Sequence, residues 1–214
     1  MDNSKVGQLI FQLRREKGLT QQQLAEMLHI SNKAVSKWEC GHGAPDIALL
    51  GELSSVLGAD IQGLLQGELN PNRTDTGKID RTRFYVCPVC GNILTSTGEA
   101  NISCCGRHLM PLTLSSDDCT PEISIEEMDT DYYVSISHEM SKSHYISFAA
   151  WVNDSCLWFQ RLYPEQSPAF RMPAVRRNGK LYLYCIRDGL FQYPLKELLR
   201  NEKQQKDSPD QRTK

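Results

Sequence analysis

Over residues 5–66 the apolar positions return every three or four residues: Leu9, Ile10 and Leu13, then Leu24, Ala25 and Leu28, then Val35 and Trp38. This period puts each group on one helical face, and the three faces are expected to meet in a single core. Cap chemistry sets the boundaries. Gly18 ends the first helix, Thr20 caps the second, and Gln23 three residues later completes a capping box that satisfies otherwise orphaned backbone donors. The second helix then runs from Gln21 to about Leu28. Pro45-Asp46 opens a fourth helix that buries Leu49, Leu50, Leu53 and Leu57 before Gly58, and Asp60 caps a fifth carrying Ile61, Leu64 and Leu65.

The pattern then changes. Residues 67–83 are polar, with one proline and two glycines, and read as a linker. Phe84-Tyr85-Val86 predicts a short strand leading into Cys87, and Ile102 leads into Cys104, so two cysteine pairs would face each other from two turns. After Cys119 come short alternating or aromatic-rich runs at 132–137, 145–152, 156–162 and 181–185. Strands at such turn-separated intervals predict a β-sandwich, with Trp151, Trp158 and Phe159 in its core and Cys156 as a packed strand thiol. Residues 200–214 are polar, contain Ser208-Pro209 and read as a disordered tail.

Net charge is -2 over 214 residues, and residues 1–67 hold six Lys or Arg against seven Asp or Glu. There is no global attraction to nucleic acid, so any such contact has to be local. No stretch approaches the roughly 18 to 20 apolar residues of a membrane span, and Met1-Asp2-Asn3-Ser4-Lys5 holds no signal core. A cytoplasmic location is the expectation. Eight cysteines would there be reduced, and CxxC spacing points to metal or redox chemistry before a disulfide framework.

The run Leu19-Thr20-Gln21-Gln22-Gln23-Leu24-Ala25, followed by Ile30-Ser31-Asn32-Lys33-Ala34-Val35-Ser36-Lys37-Trp38-Glu39, resembles the Cro and phage-repressor helix-turn-helix family, also called XRE. The resemblance implies that the third helix enters the major groove of double-stranded DNA, with Ser31, Asn32, Lys33, Ser36 and Lys37 toward it and Gln21 donating to a phosphate. It also implies a salt bridge between Arg14 and Glu39. The residues agree: the outer face of the third helix offers short hydrogen-bonding side chains and two lysines. Use of that polar face for protein contacts is the alternative. Cys40 and His42, flanking a glycine, read as a free thiol and a solvated imidazole.

Cys87-Pro-Val-Cys90 and the adjacent pair Cys104-Cys105 supply four thiols able to close around one ion. Sulfur ligands suit zinc or a single iron and exclude hard-oxygen cations. A module this small has hardly any core, so the ion would supply much of its folding energy. The segment Tyr85-Val86-Cys87-Pro-Val-Cys90-Gly91-Asn92-Ile93, with Cys104-Cys105-Gly106 and Met110, resembles the desulforedoxin module of desulfoferrodoxins, which implies one iron on four thiolates. A zinc ribbon remains the alternative. A thioredoxin-like dithiol lacks its βαβ context here. His108 reads as a surface residue.

Residues 138–146, His-Glu-Met-Ser-Lys-Ser-His-Tyr-Ile, and 184–189, Tyr-Cys-Ile-Arg-Asp-Gly, resemble the two active-site signatures of superoxide reductase, the domain that follows desulforedoxin in desulfoferrodoxins. That family implies an iron held by four histidines in a plane and one axial cysteine. His138, His144 and Cys185 match. Asp188 stands where the family has a histidine three residues after the cysteine, Cys119 takes the place of another, and Asp118 that of the family lysine. The lysine attracts an anionic substrate, whereas two aspartates repel it. A thiolate and a carboxylate in place of imidazoles also favour the ferric state. Cys119, His138, His144 and Cys185 could instead form a closed iron or zinc site, with Asp188 as a fifth ligand or a turn residue. A pocket without metal is the alternative.

The expected organisation is multidomain α + β: a five-helix HTH bundle at 1–67, a linker at 68–83, a thiolate-metal module at 84–114, an Ig-like β-sandwich at 115–199 and the tail. The expected function is a sequence-specific transcriptional regulator, homodimeric on its operator, with a desulfoferrodoxin-like redox or metal sensor. An iron-dependent superoxide reductase carrying an HTH domain is the alternative, set against the loss of two of four family histidines. A metal-stabilised adaptor is a third reading.

Overall fold

Each of four helices begins where a polar side chain closes onto backbone N–H groups. In the computed structural model, which describes residues 2–74, 81–116, 120–174 and 178–206 (backbone only for 201–206), the chain divides into two compact units, Met1–Arg73 and Thr74–Lys214.

In the first unit Asp2 caps α1 (Asn3–Glu16), Thr20 and Gln23 form the reciprocal capping box of α2 (Gln21–Met27), and Ser31 caps α3 (Asn32–Glu39). Asp46 caps a 3-10 turn, Ile47–Leu49, that runs into α4 (Leu50–Leu57). The fourth helix therefore starts later than its Pro45-Asp46 signal, because the capped residues wind with the tighter period first. Asp60 caps α5 (Ile61–Gln66). Leu9, Ile10, Leu13, Leu24, Leu28, Val35, Trp38, Leu53, Leu57 and Leu64 form one core. Ile61 and Leu65 were expected inside but lie 43% and 38% exposed, since a six-residue helix turns only one narrow face inward and here it is the face of Gly63 and Leu64. Helices α1 and α3 approach so closely at Gly7 that a Cβ there would overlap the Trp38 carbonyl.

The second unit opens with two hairpins, β1 (Arg83–Val86) with β2 (Ile93–Ser96) and β3 (Ile102–Cys104) with β4 (Arg107–Leu109). Strand alternation gives β1 two apolar faces. Phe84 and Val86 pack with Phe148, Ala150, Val152 and Tyr182, while Tyr85 and Cys87 pack with Leu94, Ile102, Cys104 and Leu109. Two antiparallel sheets follow. One has the order β11-β10-β7-β8, built from Gly189–Pro194, Lys180–Cys185, Ile146–Val152 and Leu157–Arg161, and the other the order β5-β6-β9, built from Glu122–Glu127, Asp131–Ser137 and Ala169–Pro173. Ile125, Tyr132, Val134 and Ile136 of the smaller sheet share a core with Ala149, Trp151, Leu181 and Leu183 of the larger. Every residue of β7 is buried because Phe84 covers its outer face, with ring centroids 5.3 Å apart at Phe148.

Two further expectations change. Helix α6 (Leu195–Lys206) runs into the segment read as disordered, since Leu195 and Leu199, one turn apart, anchor it in the core despite a polar remainder. Residues 207–214 lie outside the described residues. Phe159 is 38% exposed rather than core, because Trp158 takes the inward side of β8 and stacks on Phe170 at 5.3 Å.

Candidate functional site

The nucleic-acid candidates sit on α3 and its entry. Ser31, Asn32, Lys33 and Lys37 are exposed and Ser36 half-exposed, opposite the buried Val35 and Trp38. Beneath them Arg14 grips Glu39 bidentately, Nε to Oε1 at 2.6 Å and Nη2 to Oε2 at 2.9 Å, and donates to the Leu19 carbonyl at 2.7 Å. Gln21 Nε2 donates to Glu39 Oε2 at 2.7 Å. One amide hydrogen of Gln21 is thus committed inside the protein, which orients the side chain and leaves its second hydrogen available.

The four-thiol cluster is made by two tight turns. Gly91, at φ +66°, lets the chain fold back so that Gly91 N–H meets the Cys87 carbonyl and Cys87 N–H meets the Asn92 carbonyl, each at 2.9 Å. Cys105 and Gly106 form the two-residue loop of the β3–β4 hairpin with φ of +50° and +71°, the signature of a type I′ turn. Sulfur separations are 3.6 Å for Cys90–Cys104 and 4.0 Å for Cys104–Cys105, and all four sulfurs lie within 4.8 Å of one another. A tetrahedron with metal–sulfur bonds of about 2.3 Å has edges of about 3.8 Å. The spacing therefore fits one ion and is far too long for a disulfide. Backbone N–H groups of Cys90 and Val89 bring the Cys87 thiol down to about 6. Cys105 is pushed up to about 12, because its proton is shared with the sulfurs of Cys90, Cys87 and Cys104. Four thiolates this close need a cation to carry their charge together. Asn92 Nδ2 adds a contact to Cys104 Sγ at 3.8 Å.

The second cluster collects His138 after β6, His144 before β7, Cys185 at the end of β10 and Asp188 in the following turn, with ligand atoms again within 4.8 Å of one another. A register shift at Tyr184/Cys185 and two N–H contacts from Arg187 and Asp188 at 3.4 Å hold the Cys185 sulfur inward. Asp188 Oδ2 lies 2.6 Å from His144 Nε2, 3.3 Å from Cys185 Sγ and 3.8 Å from His138 Nε2. His138 Nε2 is buried with no hydrogen-bond partner, an orphaned donor set toward the other three groups. Burial lowers the His138 pKa, the Asp188 contact raises that of His144, and the same contact lowers that of Asp188. Two nitrogens, one sulfur and one carboxylate oxygen suit zinc or iron. Met140 N–H donates to His138 Nδ1 at 3.3 Å, which puts the neutral ring's proton on Nε2. To hold a metal through Nε2, His138 would have to give up that proton, as the Cys185 thiol would give up its own. Cys119 and Asp118, expected near this site, lie outside the described residues.

Comparison with known proteins bears on both clusters. The chain is 28% identical over 118 residues to a desulfoferrodoxin homolog of Archaeoglobus fulgidus, covering 51% of this chain and 94% of that one. It is 30% identical over 97 residues to the desulfoferrodoxin of Desulfarculus baarsii, covering 42% and 77%. The chain belongs to the desulfoferrodoxin family. The N-terminal addition to this desulfoferrodoxin-like region matches a helix-turn-helix family over residues 10–64. It is 49% identical over 57 residues to the HTH-type transcriptional activator BcrR of Enterococcus faecalis, covering 27% of this chain and only 28% of that protein.

One contact of the second cluster carries no sequence signal. Glu139 Oε2 lies 2.9 Å from His144 Nδ1, on the side of the ring away from Asp188. A carboxylate there fixes the ring and frees Nε2 for a metal. Glu139→Gln is expected to weaken zinc binding at this cluster about 10- to 100-fold, measured by competition with a chelating dye. An unchanged constant would reduce Glu139 to a surface neighbour.

Proposed function

We propose that the protein is a sequence-specific DNA-binding transcriptional regulator whose operator affinity depends on the metal held by Cys87, Cys90, Cys104 and Cys105. One observation carries this reading: a chain with a helix-turn-helix fold also holds four sulfurs at tetrahedral spacing. Ser31, Asn32, Lys33, Ser36 and Lys37 read the operator on α3, and Gln21, braced by Glu39, donates to a phosphate. The protein works as a homodimer, because HTH readers engage half-sites about one helical turn apart. The bundle ends near residue 67, and the two sheets that share a core form an Ig-like sandwich between 115 and 199. A cytoplasmic location belongs to this reading, because four thiolates kept for a metal need surroundings in which cysteines stay reduced.

Superoxide reduction has less support. Asp188 sits among the ligand atoms where the family has a histidine, and its charge repels an anionic substrate. His138, His144, Cys185 and Asp188 act as a holding site for zinc or iron.

The test is operator binding by metal-loaded, metal-free and oxidised protein, with metal content measured on anaerobically purified material. Equal affinity in all three states would leave the four-thiol site a structural clasp. Lys33→Ala and Lys37→Ala are each expected to weaken binding about equally across sequences and to reduce the salt slope by about one. An unchanged slope would count against this docking.

A further inference from the structure

Beside the four-thiol turn lies a cleft of about 520 Å³, between the start of β2 and the outer face of β8. Its size falls in the range of small-molecule sites. Strand β8 contributes Leu157, Phe159 and Arg161, alternate residues on one face. The first two are 36% and 38% exposed, an apolar floor on an edge strand where polar residues are usual. The Phe159 ring is stacked on the buried Phe148 at 5.1 Å, so the fold itself sets its place. Ile93 completes the apolar wall.

The polar groups are one cation and its neighbours. Arg161 reaches only the Gly91 carbonyl, at 3.4 Å, and has no carboxylate partner among the described residues. Thr95 and Asn92 stand at the opposite rim. A guanidinium with no carboxylate partner among the described residues, beside an aromatic ring on the same strand face, matches a planar carboxylate with an apolar body. We propose that this cleft binds a small aromatic carboxylate, with the carboxylate on Arg161 and the ring against Phe159. The occupant touches Gly91 and Asn92, and Asn92 contacts Cys104 Sγ, so binding is felt at the thiol cluster. This site stands apart from the DNA reading and can fail without it.

Phenylacetate is the probe, titrated calorimetrically into the full-length, metal-loaded protein, with amide shifts read by NMR. Saturable binding is expected, with shifts at Asn92, Thr95 and Phe159. Benzyl alcohol, which lacks the charge, and acetate, which lacks the ring, should each bind about tenfold or more weakly. Arg161→Gln should lose about tenfold or more, and Thr95→Asp, an exposed change that leaves the fold alone, should also weaken binding by placing a like charge at the rim. Failure of phenylacetate to saturate at millimolar concentration, affinity in either variant unchanged from that of the unsubstituted protein, or shifts that map elsewhere would each overturn the assignment.

Discussion

Replacing Cys104 with serine is expected to empty the four-thiol site and unfold the module around it. Cys104 Sγ lies 3.6 Å from Cys90 Sγ and is the sulfur that Asn92 contacts. Serine keeps the size but offers a hard oxygen to an ion that prefers sulfur. The module's own core is little more than Tyr85, Cys87 and Leu109, with Leu94, Ile102 and Cys104 half-buried around them. Against that, a structural thiolate site contributes on the order of 10 kcal/mol to folding. Metal content should fall by one equivalent, and amides of β3 and β4 should lose protection from exchange. The two sheets should keep theirs, because their core is a separate cluster. Retention of the metal with protected amides would sink this account of the module.

The second large effect is expected in the helical unit. Glu39→Ala leaves Arg14, whose side chain is 6% exposed, with its charge uncompensated and Gln21 without its acceptor. Breaking a buried pair from one side costs about 3–5 kcal/mol, a large part of the 5–15 kcal/mol that holds a typical domain. The urea midpoint of the N-terminal transition should fall accordingly. Arg14→Met combined with Glu39→Leu should regain much of the loss, since apolar replacement of a buried pair is often neutral. A single-variant loss below about 1 kcal/mol would show that the pair is screened like a surface one.

The helical unit was legible because its signals are local. Thr20 with Gln23, and Asp60, cap helices within three residues of themselves, and the Leu24 to Leu28 period needs no partner to be recognised. The thiol cluster was legible for the same reason, as two short spacings. The second cluster draws on residues up to 50 positions apart, His138 to Asp188, and only a family likeness brought them together. Strand β5, Glu-Ile-Ser-Ile-Glu-Glu, and helix α6 were hidden by charge on their solvent sides. Parity could have corrected Phe159: adjacent residues of a strand face opposite ways, so Trp158 and Phe159 could not both point inward.

Strand β1 ties the metal module to the larger sheet through one row of side chains and to the thiol cluster through the other. Loss of the ion would dissolve only the second row. Phe84, 1% exposed against Phe148 and Tyr182, would hold Cys87 and Cys90 near their places from one side, and Leu112, packed in the same row and bonded to the Phe84 carbonyl at 2.8 Å, would hold Cys104 and Cys105 from the other. Recapture of an ion is then a local closure with a short search, and the module can cycle between loaded and empty without leaving its seat.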